Sequence, residues 1–190
     1  MQIQQPPANP VHILLCGFMA AGKSSIGRML ARNLGKPFHD LDRTIEQEEE
    51  KFIVDIFAGG GEEHFRALEL RYLDHLLGSG DSVIALGGGT LQNEGVLNTL
   101  KKEHILVYLN TPFPLIFKRL IGNKTRPMLF KKDGTKRDIK ELKAYLYDLH
   151  KKREKLYVQA QICINIEPFW NRFAIVEKIE QRVREHGCSS

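Results

Sequence analysis

The sequence predicts an α/β fold in which a parallel sheet is covered by helices on both faces. Short, unbroken apolar runs recur along the chain, amphipathic patterns of helical period separate them, and a glycine-rich loop of phosphate-binding type joins the first run to the first helical pattern. Strands buried on both faces need continuous apolarity, whereas a sheet with one wet face would alternate.

Residues 1–10 form a short leader ending at Pro10. Val11-His12-Ile13-Leu14-Leu15-Cys16 reads as the first strand, and residues 24–34 as a helix in which Ile26, Met29, Leu30 and Leu34 recur at helical spacing. Pro37-Phe38-His39-Asp40 is a shorter strand candidate. Ser82-Val83-Ile84-Ala85-Leu86, Ile105-Leu106-Val107-Tyr108-Leu109 and Ile162-Cys163-Ile164-Asn165-Ile166 complete the strand set. Helical patterns occupy residues 63–77, 112–120 and 171–184. Residues 122–137 break the alternation, being polar, basic and poor in apolar spacing. A segment of that length is either a mobile lid or a solvated insertion, and length alone does not choose between them. A helix from about residue 138 to 157 follows, with Leu142, Leu146 and Leu149 on one face. No internal repeat or low-complexity linker divides the chain, so one domain over residues 1–190 is expected, closing in a polar tail at 185–190.

The 190 residues suffice for a sizeable core. Hydrophobic residues at 42% and charged residues at 27% exclude a disordered chain, a fibrous repeat and a disulfide scaffold. The formal charge of +5 is unevenly placed. Residues 118–155 hold 14 basic and 5 acidic side chains, a local +9, and the remainder holds 14 and 18, a local −4. A basic segment suits nucleic acid, an acidic membrane surface or a polyanionic small substrate. Its few aromatics (Phe130, Tyr145, Tyr147), with no binding motif beside them, argue against nucleic acid. The first residues lack the basic start and apolar run of a signal peptide, and no stretch approaches the roughly 18 apolar residues of a membrane span. The three cysteines are odd in number, and Cys16 and Cys163 lie in apolar strand runs. Buried, reduced thiols and a cytoplasmic location are therefore expected. The seven histidines show no paired ligand spacing with cysteines, so no zinc site is expected.

Gly17-Phe18-Met19-Ala20-Ala21-Gly22-Lys23-Ser24 fits the pattern G-x-x-x-x-G-K-[ST] completely, between strand and helix as that motif requires. Gly17 and Gly22 let the backbone turn tightly, so that successive N–H groups converge on phosphate oxygens. The helix N-terminus adds its partial positive charge. Lys23 can reach the β- and γ-phosphates and Ser24 can offer its hydroxyl to Mg²⁺. Asn123-Lys124-Thr125-Arg126 begins like a guanine-reading element, but Arg126 stands where that element needs a carboxylate, which disfavours a GTPase. Glu46 to Glu50 reads as a solvated helix face, and Gly59-Gly60-Gly61 as turn punctuation.

Phe38-His39-Asp40-Leu41-Asp42 places two carboxylates at i and i+2. If strand geometry held to Asp42 both would face the phosphate loop, one serving Mg²⁺ and its waters and the other an acceptor hydroxyl. A surface turn capped by an aspartate would leave the same pattern. Leu86-Gly87-Gly88-Gly89-Thr90 closes the third apolar run at the carboxyl end of a strand, where open α/β sheets bind ligands.

Together these residues resemble the shikimate kinase family. The resemblance runs from about residue 11 to 180 through Gly17 to Gly27, Asp40-Leu41-Asp42, Gly61-Glu62 with Phe65-Arg66, Gly87-Gly88-Gly89, Arg126-Pro127-Met128-Leu129, and Arg153 with Tyr157. It implies a five-stranded parallel sheet of the nucleoside monophosphate kinase type with a mobile lid at 122–137. It also implies transfer of the γ-phosphoryl group of ATP to the 3-hydroxyl of shikimate, in a monomer of the aromatic amino-acid pathway. Position by position, it implies that Gly17, Ala20, Ala21, Gly22, Lys23, Ser24 and Ser25 hold ATP and that Arg119 lies near adenine. Arg126 would stabilise charge on the transferring group. Asp42 would bind the acceptor hydroxyls and help to deprotonate one, with Lys23, Asp42 and Arg126 as the catalytic set. Arg66 and Arg153 would clamp the acceptor carboxylate, Gly87, Gly88 and Gly89 would bring backbone to the substrate, and Ser24 with Asp40 would serve Mg²⁺.

The chain departs from the family pattern at two places that bear on the site. Ala20 stands where the family usually has a loop glycine, which is tolerable at negative φ. Lys155 replaces a common proline, so Lys152 competes with Arg153 for the clamp position; the spacing to Tyr157 favours Arg153. The competing readings are another small-molecule kinase such as a gluconate kinase, which needs no carboxylate clamp, and an ATP-binding module without catalysis.

Overall fold

The computed structural model describes residues 11–121 and 138–187. The leader, the segment 122–137 expected as a lid, and residues 188–190 with Cys188 lie outside the described residues. Five parallel strands form one sheet in the order β2-β3-β1-β4-β5, from β1 (Ile13–Cys16), β2 (Phe38–Asp40), β3 (Val83–Ala85), β4 (Ile105–Asn110) and β5 (Ile162–Asn165). Among the described residues seven α-helices accompany it: α1 (Lys23–Leu34), α2 (Leu41–Glu48), α3 (Ile53–Leu77), α4 (Glu94–Glu103), α5 (Phe113–Ile121), α6 (Ile139–Tyr157) and α7 (Arg172–Gly187).

Successive strand residues point to opposite faces. Leu14, Cys16, Ile84, Leu106 and Tyr108 enter a core with Leu41, Ile45, Leu68, Ile116 and Leu146. Ile13, Leu15, Val83, Val107 and Leu109 enter a second core with Ile26, Leu30, Ile175 and Ile179. Burial on both faces is the reason the runs are continuously apolar. The edge strand β5 differs, because Ile162 and Ile164 are buried while Cys163 and Asn165 face out. The expectation of a buried Cys163 is thus corrected: an edge strand has one wet face, whereas Cys16 on central β1 is fully enclosed.

The helices differ from the sequence reading in four places. α3 begins at Ile53 rather than near residue 63 and runs through the glycine triplet, with Gly61 at φ 73°, ψ −174° dividing it into two helical pieces. Those glycines interrupt the apolar period that would have revealed the first piece. α4 was not expected; its apolar face is short, and Asn93 starts it by accepting from the N–H groups of Gly95 and Val96. α7 continues to Gly187, into the segment read as a polar tail. Glu46 and Glu49 are not simply solvated: Glu46 accepts the Ile53 N–H at 3.1 Å, and Glu49 receives Tyr72 at 2.8 Å and Arg71 at 2.5 Å.

The loop between β1 and α1 carries the phosphate-binding pattern. Gly22 precedes α1 at φ 108°, and Gly17 sits at φ 142°, where a Cβ would come within 3.0 Å of the Leu109 carbonyl oxygen. Both positions need glycine. Ala20 lies at φ 59°, so the condition under which an alanine there is tolerated without strain, a negative φ, is not met. An L-residue pays a steric penalty in this region that glycine does not. Ala20→Gly is therefore expected to raise unfolding stability by about 1 kcal/mol, read as an upward shift of the urea midpoint at constant m-value. An unchanged or lowered midpoint would show that Ala20 is unstrained.

Candidate active site

The phosphate loop is held from outside through its carbonyl oxygens. The Lys23 ammonium donates to Gly17 at 2.9 Å and to Phe18 at 3.3 Å. Arg119, on α5, donates to Ala20 at 3.0 Å and Ala21 at 3.3 Å, and the Thr111 hydroxyl donates to Ala21 at 3.1 Å. A trans peptide sets its C=O and N–H in opposite directions, so engaging the carbonyls turns the partner N–H groups to the other side of the loop. Ala21 is buried beneath the loop, whereas Ser24 and Ser25 stand exposed in the first turn of α1, Ser25 donating to the Gly22 carbonyl at 3.0 Å. Burial depresses the Lys23 pKa, and the nearby Asp42 and Asp40 charges oppose that shift.

The two aspartates do not share a strand face. β2 ends at Asp40, whose carboxylate caps α2 by accepting the Arg43 N–H at 3.4 Å, and Asp42 lies in the first turn of that helix. The i, i+2 geometry is therefore that of a strand-to-helix junction. It still turns Asp42 inward: the residue is half-buried, and burial pushes its carboxyl up to about 6. The Lys23 charge opposes this rise, and the neighbouring Asp40, Glu69 and Glu46 charges add to it.

Gly87, Gly88 and Gly89 follow β3 and form the floor of the cleft. A Cβ on Gly87 would collide with the Glu69 carboxylate and come within 2.9 Å of the Asp42 carboxylate and 3.0 Å of the Thr90 hydroxyl. One on Gly88 would stand 3.4 Å from the Arg153 guanidinium and 3.7 Å from the backbone nitrogen of Met19 in the phosphate loop. One on Gly89 would overlap the Arg66 guanidinium. The missing Cβ atoms of Gly87 and Gly89 thus make room for Asp42, Glu69 and Arg66, and Arg153 and the phosphate loop approach the same turn at Gly88.

Arg66, just past the Gly61 break in α3, donates to Glu69 at 2.6 Å and to Glu62 at 3.2 Å. Burial alone would lower its pKa, but these carboxylates more than compensate and hold it charged. Glu69 is 1% exposed, and its second oxygen accepts the Thr90 hydroxyl at 2.5 Å. A buried carboxylate needs such partners, and Glu69 has one on each oxygen. Arg153, on α6, is half-buried over the Phe18 ring at 6.0 Å, whereas Lys152 is exposed, so Arg153 is the residue that faces the cleft. Its Nε is buried without a partner among the described residues. Arg126 lies outside the described residues. Sequence reasoning missed Glu69 and Thr90, although Arg66 and Glu69 at i, i+3 on a helix form a readable pair. It also missed His150, buried between Phe18 of the phosphate loop and Phe113 of α5 at 5.1 and 5.6 Å.

Comparison with known proteins agrees with this arrangement. The family model for shikimate kinase matches residues 19–183. The chain is 39% identical over 173 residues to a shikimate kinase of Persephonella marina, covering 91% of this chain and 99% of that one. It is 40% identical over 153 residues to one of Chloroherpeton thalassium, covering 80% and 82%. Among solved structures, shikimate kinase from Acinetobacter baumannii in complex with shikimate superposes with a TM-score of 0.82 at 33% identity, over 93% of this chain and 94% of that one. The enzyme from Bacteroides thetaiotaomicron gives the same TM-score at 31% identity, over 92% and 98%. A sheet of this order, a phosphate loop facing a glycine turn between two arginines, and relatives of this likeness over nearly their whole length place the chain in the shikimate kinase family.

Proposed function

We propose that this cleft is where the chain, as an ATP-dependent kinase, moves the γ-phosphoryl group of ATP to the 3-hydroxyl of shikimate, giving shikimate 3-phosphate and ADP. The observation that carries the reading is the Gly87–Gly89 floor. There the phosphate loop, an inward carboxylate and two arginines meet, as a transfer between a triphosphate and an anionic alcohol requires.

The loop from Gly17 through Ala20, Ala21 and Gly22 to Lys23, Ser24 and Ser25 cradles the triphosphate. Lys23 exchanges its loop carbonyls for phosphate oxygens as the nucleotide arrives. Arg119, already against the loop, borders the adenine side, and Arg126 covers the transferring group. Arg66 and Arg153 hold the acceptor carboxylate, a task that suits planar guanidinium forks. Gly87, Gly88 and Gly89 present backbone to the acceptor ring. Asp42 orients the attacking hydroxyl and takes its proton. Positioning and neutralisation of charge are the main demands of phosphoryl transfer, and these residues meet both.

Mg²⁺ binds hard oxygen donors, keeps several waters and needs only one or two protein ligands. The exposed Ser24 hydroxyl and the half-buried Asp40 carboxylate are donors of that kind at the same edge of the parallel sheet, so the residues present fit the ion, Asp40 acting through water. Bound there, Mg²⁺ would neutralise charge on the β- and γ-phosphate oxygens. We further propose that the chain works as one monomeric catalytic unit in the cytoplasm, with residues 122–137 as its lid and no nucleic-acid or membrane partner. Among the described residues no helix is long and apolar enough to cross a membrane.

Coupled ADP release with ATP and Mg²⁺ tests the reading. Turnover is expected with shikimate and little with gluconate or quinate; no shikimate-dependent turnover would overturn it. Arg66→Ala should raise the KM for shikimate roughly 10- to 100-fold, the worth of a charge-assisted contact, with the KM for ATP nearly unchanged. Equal losses for both substrates would make Arg66 a structural residue. Because Asp42 must be ionised to accept a proton and its carboxyl titrates near 6, kcat/KM for shikimate should rise with pH through about 6 and level off above. Below that midpoint the protonated carboxyl cannot act as base. A flat profile between pH 5 and 8 would remove Asp42 from that role.

A further inference from the structure

The Tyr157 hydroxyl, at the end of α6, donates to the Gly88 carbonyl oxygen at 2.5 Å. Tyr157 is 2% exposed, and its ring packs on that of Tyr108 with centroids 5.4 Å apart. It lies one helical turn beyond Arg153, on the same face of α6, and the Arg153 guanidinium stands 3.4 Å from where a Cβ on Gly88 would lie. The Tyr157 hydroxyl therefore bonds to the floor of the cleft at the residue that one arm of the cationic clamp also approaches. The peptide between Gly88 and Gly89 is planar and trans, so fixing the Gly88 carbonyl toward Tyr157 fixes the Gly89 N–H in the opposite direction. Glycine offers no side chain to hold that peptide and rotates more freely than any other residue. The turn therefore needs an external tether, and the α6 tyrosine is placed to supply it.

We infer that Tyr157 is a positioning residue for the acceptor: it sets the orientation of the Gly88–Gly89 peptide beside Arg153, so that the backbone donor and the guanidinium meet a bound anionic cyclic alcohol in register. The inference rests on the acceptor-site reading above and adds a residue that touches no substrate. It predicts an effect on one substrate only. The tether runs from α6 to the acceptor floor, while the phosphate loop is held by other donors, Lys23, Thr111 and Arg119.

Tyr157→Phe keeps the ring and removes only the O–H. It should raise the KM for shikimate about five- to tenfold, the weight of one hydrogen bond, with kcat and the KM for ATP within about twofold of wild type. Tyr108→Phe is the control, since the Tyr108 hydroxyl donates to Asn110 at 3.1 Å and does not reach the floor. It should leave all three constants unchanged. The second readout needs no turnover: amide hydrogen exchange of the ligand-free protein, in which Tyr157→Phe should speed the exchange of Gly89 at least tenfold while the β1 and β4 amides keep their wild-type rates. An unchanged shikimate KM with unchanged Gly89 exchange would overturn the inference. So would parallel losses for both substrates or in both tyrosine variants, because these mark a general packing role. If wild type itself failed to use shikimate, that result would count against the proposed function, and the exchange comparison would still decide whether the tether exists.

Discussion

The close approach at Gly87–Gly89 sets the spacing of everything around it. Two of the three missing β-carbons are replaced by functional groups, the Glu69 and Asp42 carboxylates at Gly87 and the Arg66 guanidinium at Gly89, while at Gly88 the Arg153 guanidinium and the phosphate loop come to ordinary contact distance. The elements that bring these groups are far apart in sequence, from β1 to α6, and they converge only because the floor is thin. The parallel sheet makes the convergence possible, since the carboxyl ends of β1, β2 and β3 open on the same edge. A Cβ at Gly87 or Gly89 would force the Glu69 or Arg66 side chain to move, and in the proposed reaction that would disturb a transfer that depends on near-contact geometry.

Charge density is the second constraint. Lys23, Arg66, Asp40, Asp42 and Glu69 crowd one cleft, where isolated charges would be costly to bury, with the exposed Glu62 at its rim. They are tolerated because they come in opposed sets. Lys23 answers the two aspartates, and Arg66 answers the two glutamates. Glu69 is completed by a neutral hydroxyl, Thr90, instead of a further cation. The raised pKa of Asp42 is the remainder of this balance: burial and three other carboxylates outweigh one lysine. A structural need to pair charges thus leaves one carboxylate with the basicity a proton acceptor requires.

Much of this was legible in the sequence, and for physical reasons. Strands buried on both faces need continuous apolarity, so β1, β3, β4 and the buried half of β5 announced themselves, as did the loop from Gly17 to Ser24, whose residue types are dictated by phosphate. The first half of α3 was hidden because Gly59-Gly60-Gly61 interrupts its period, and α4 because its apolar stripe is only a few residues long. The Asp40–Asp42 junction was left open between a strand face and an aspartate-capped turn, because i, i+2 spacing does not say where a strand stops, and here Asp40 is itself the cap that ends it. The φ of Ala20 was invisible, since a methyl group tolerates a left-handed conformation at a cost no pattern records. Glu69 and Thr90 are ordinary residues in sequence and Tyr157 served there only as a spacing mark for Arg153; their contacts with the glycine turn exist only once the chain has folded.

The way Arg66 is held has a consequence for how the acceptor comes and goes. Its guanidinium shares its charge with Glu69 and Glu62 before any ligand is present. In the proposed clamp role, an incoming carboxylate would exchange with these existing partners, and the net free energy of the contact would be smaller than that of an unpaired arginine. What the ligand gains is a donor fork already fixed in direction, with little side-chain entropy left to lose. Such a contact favours alignment over tight retention. For an enzyme that must release a product bearing the same carboxylate as its substrate, the proposed clamp, with its moderate grip, would shorten residence and keep the cleft turning over.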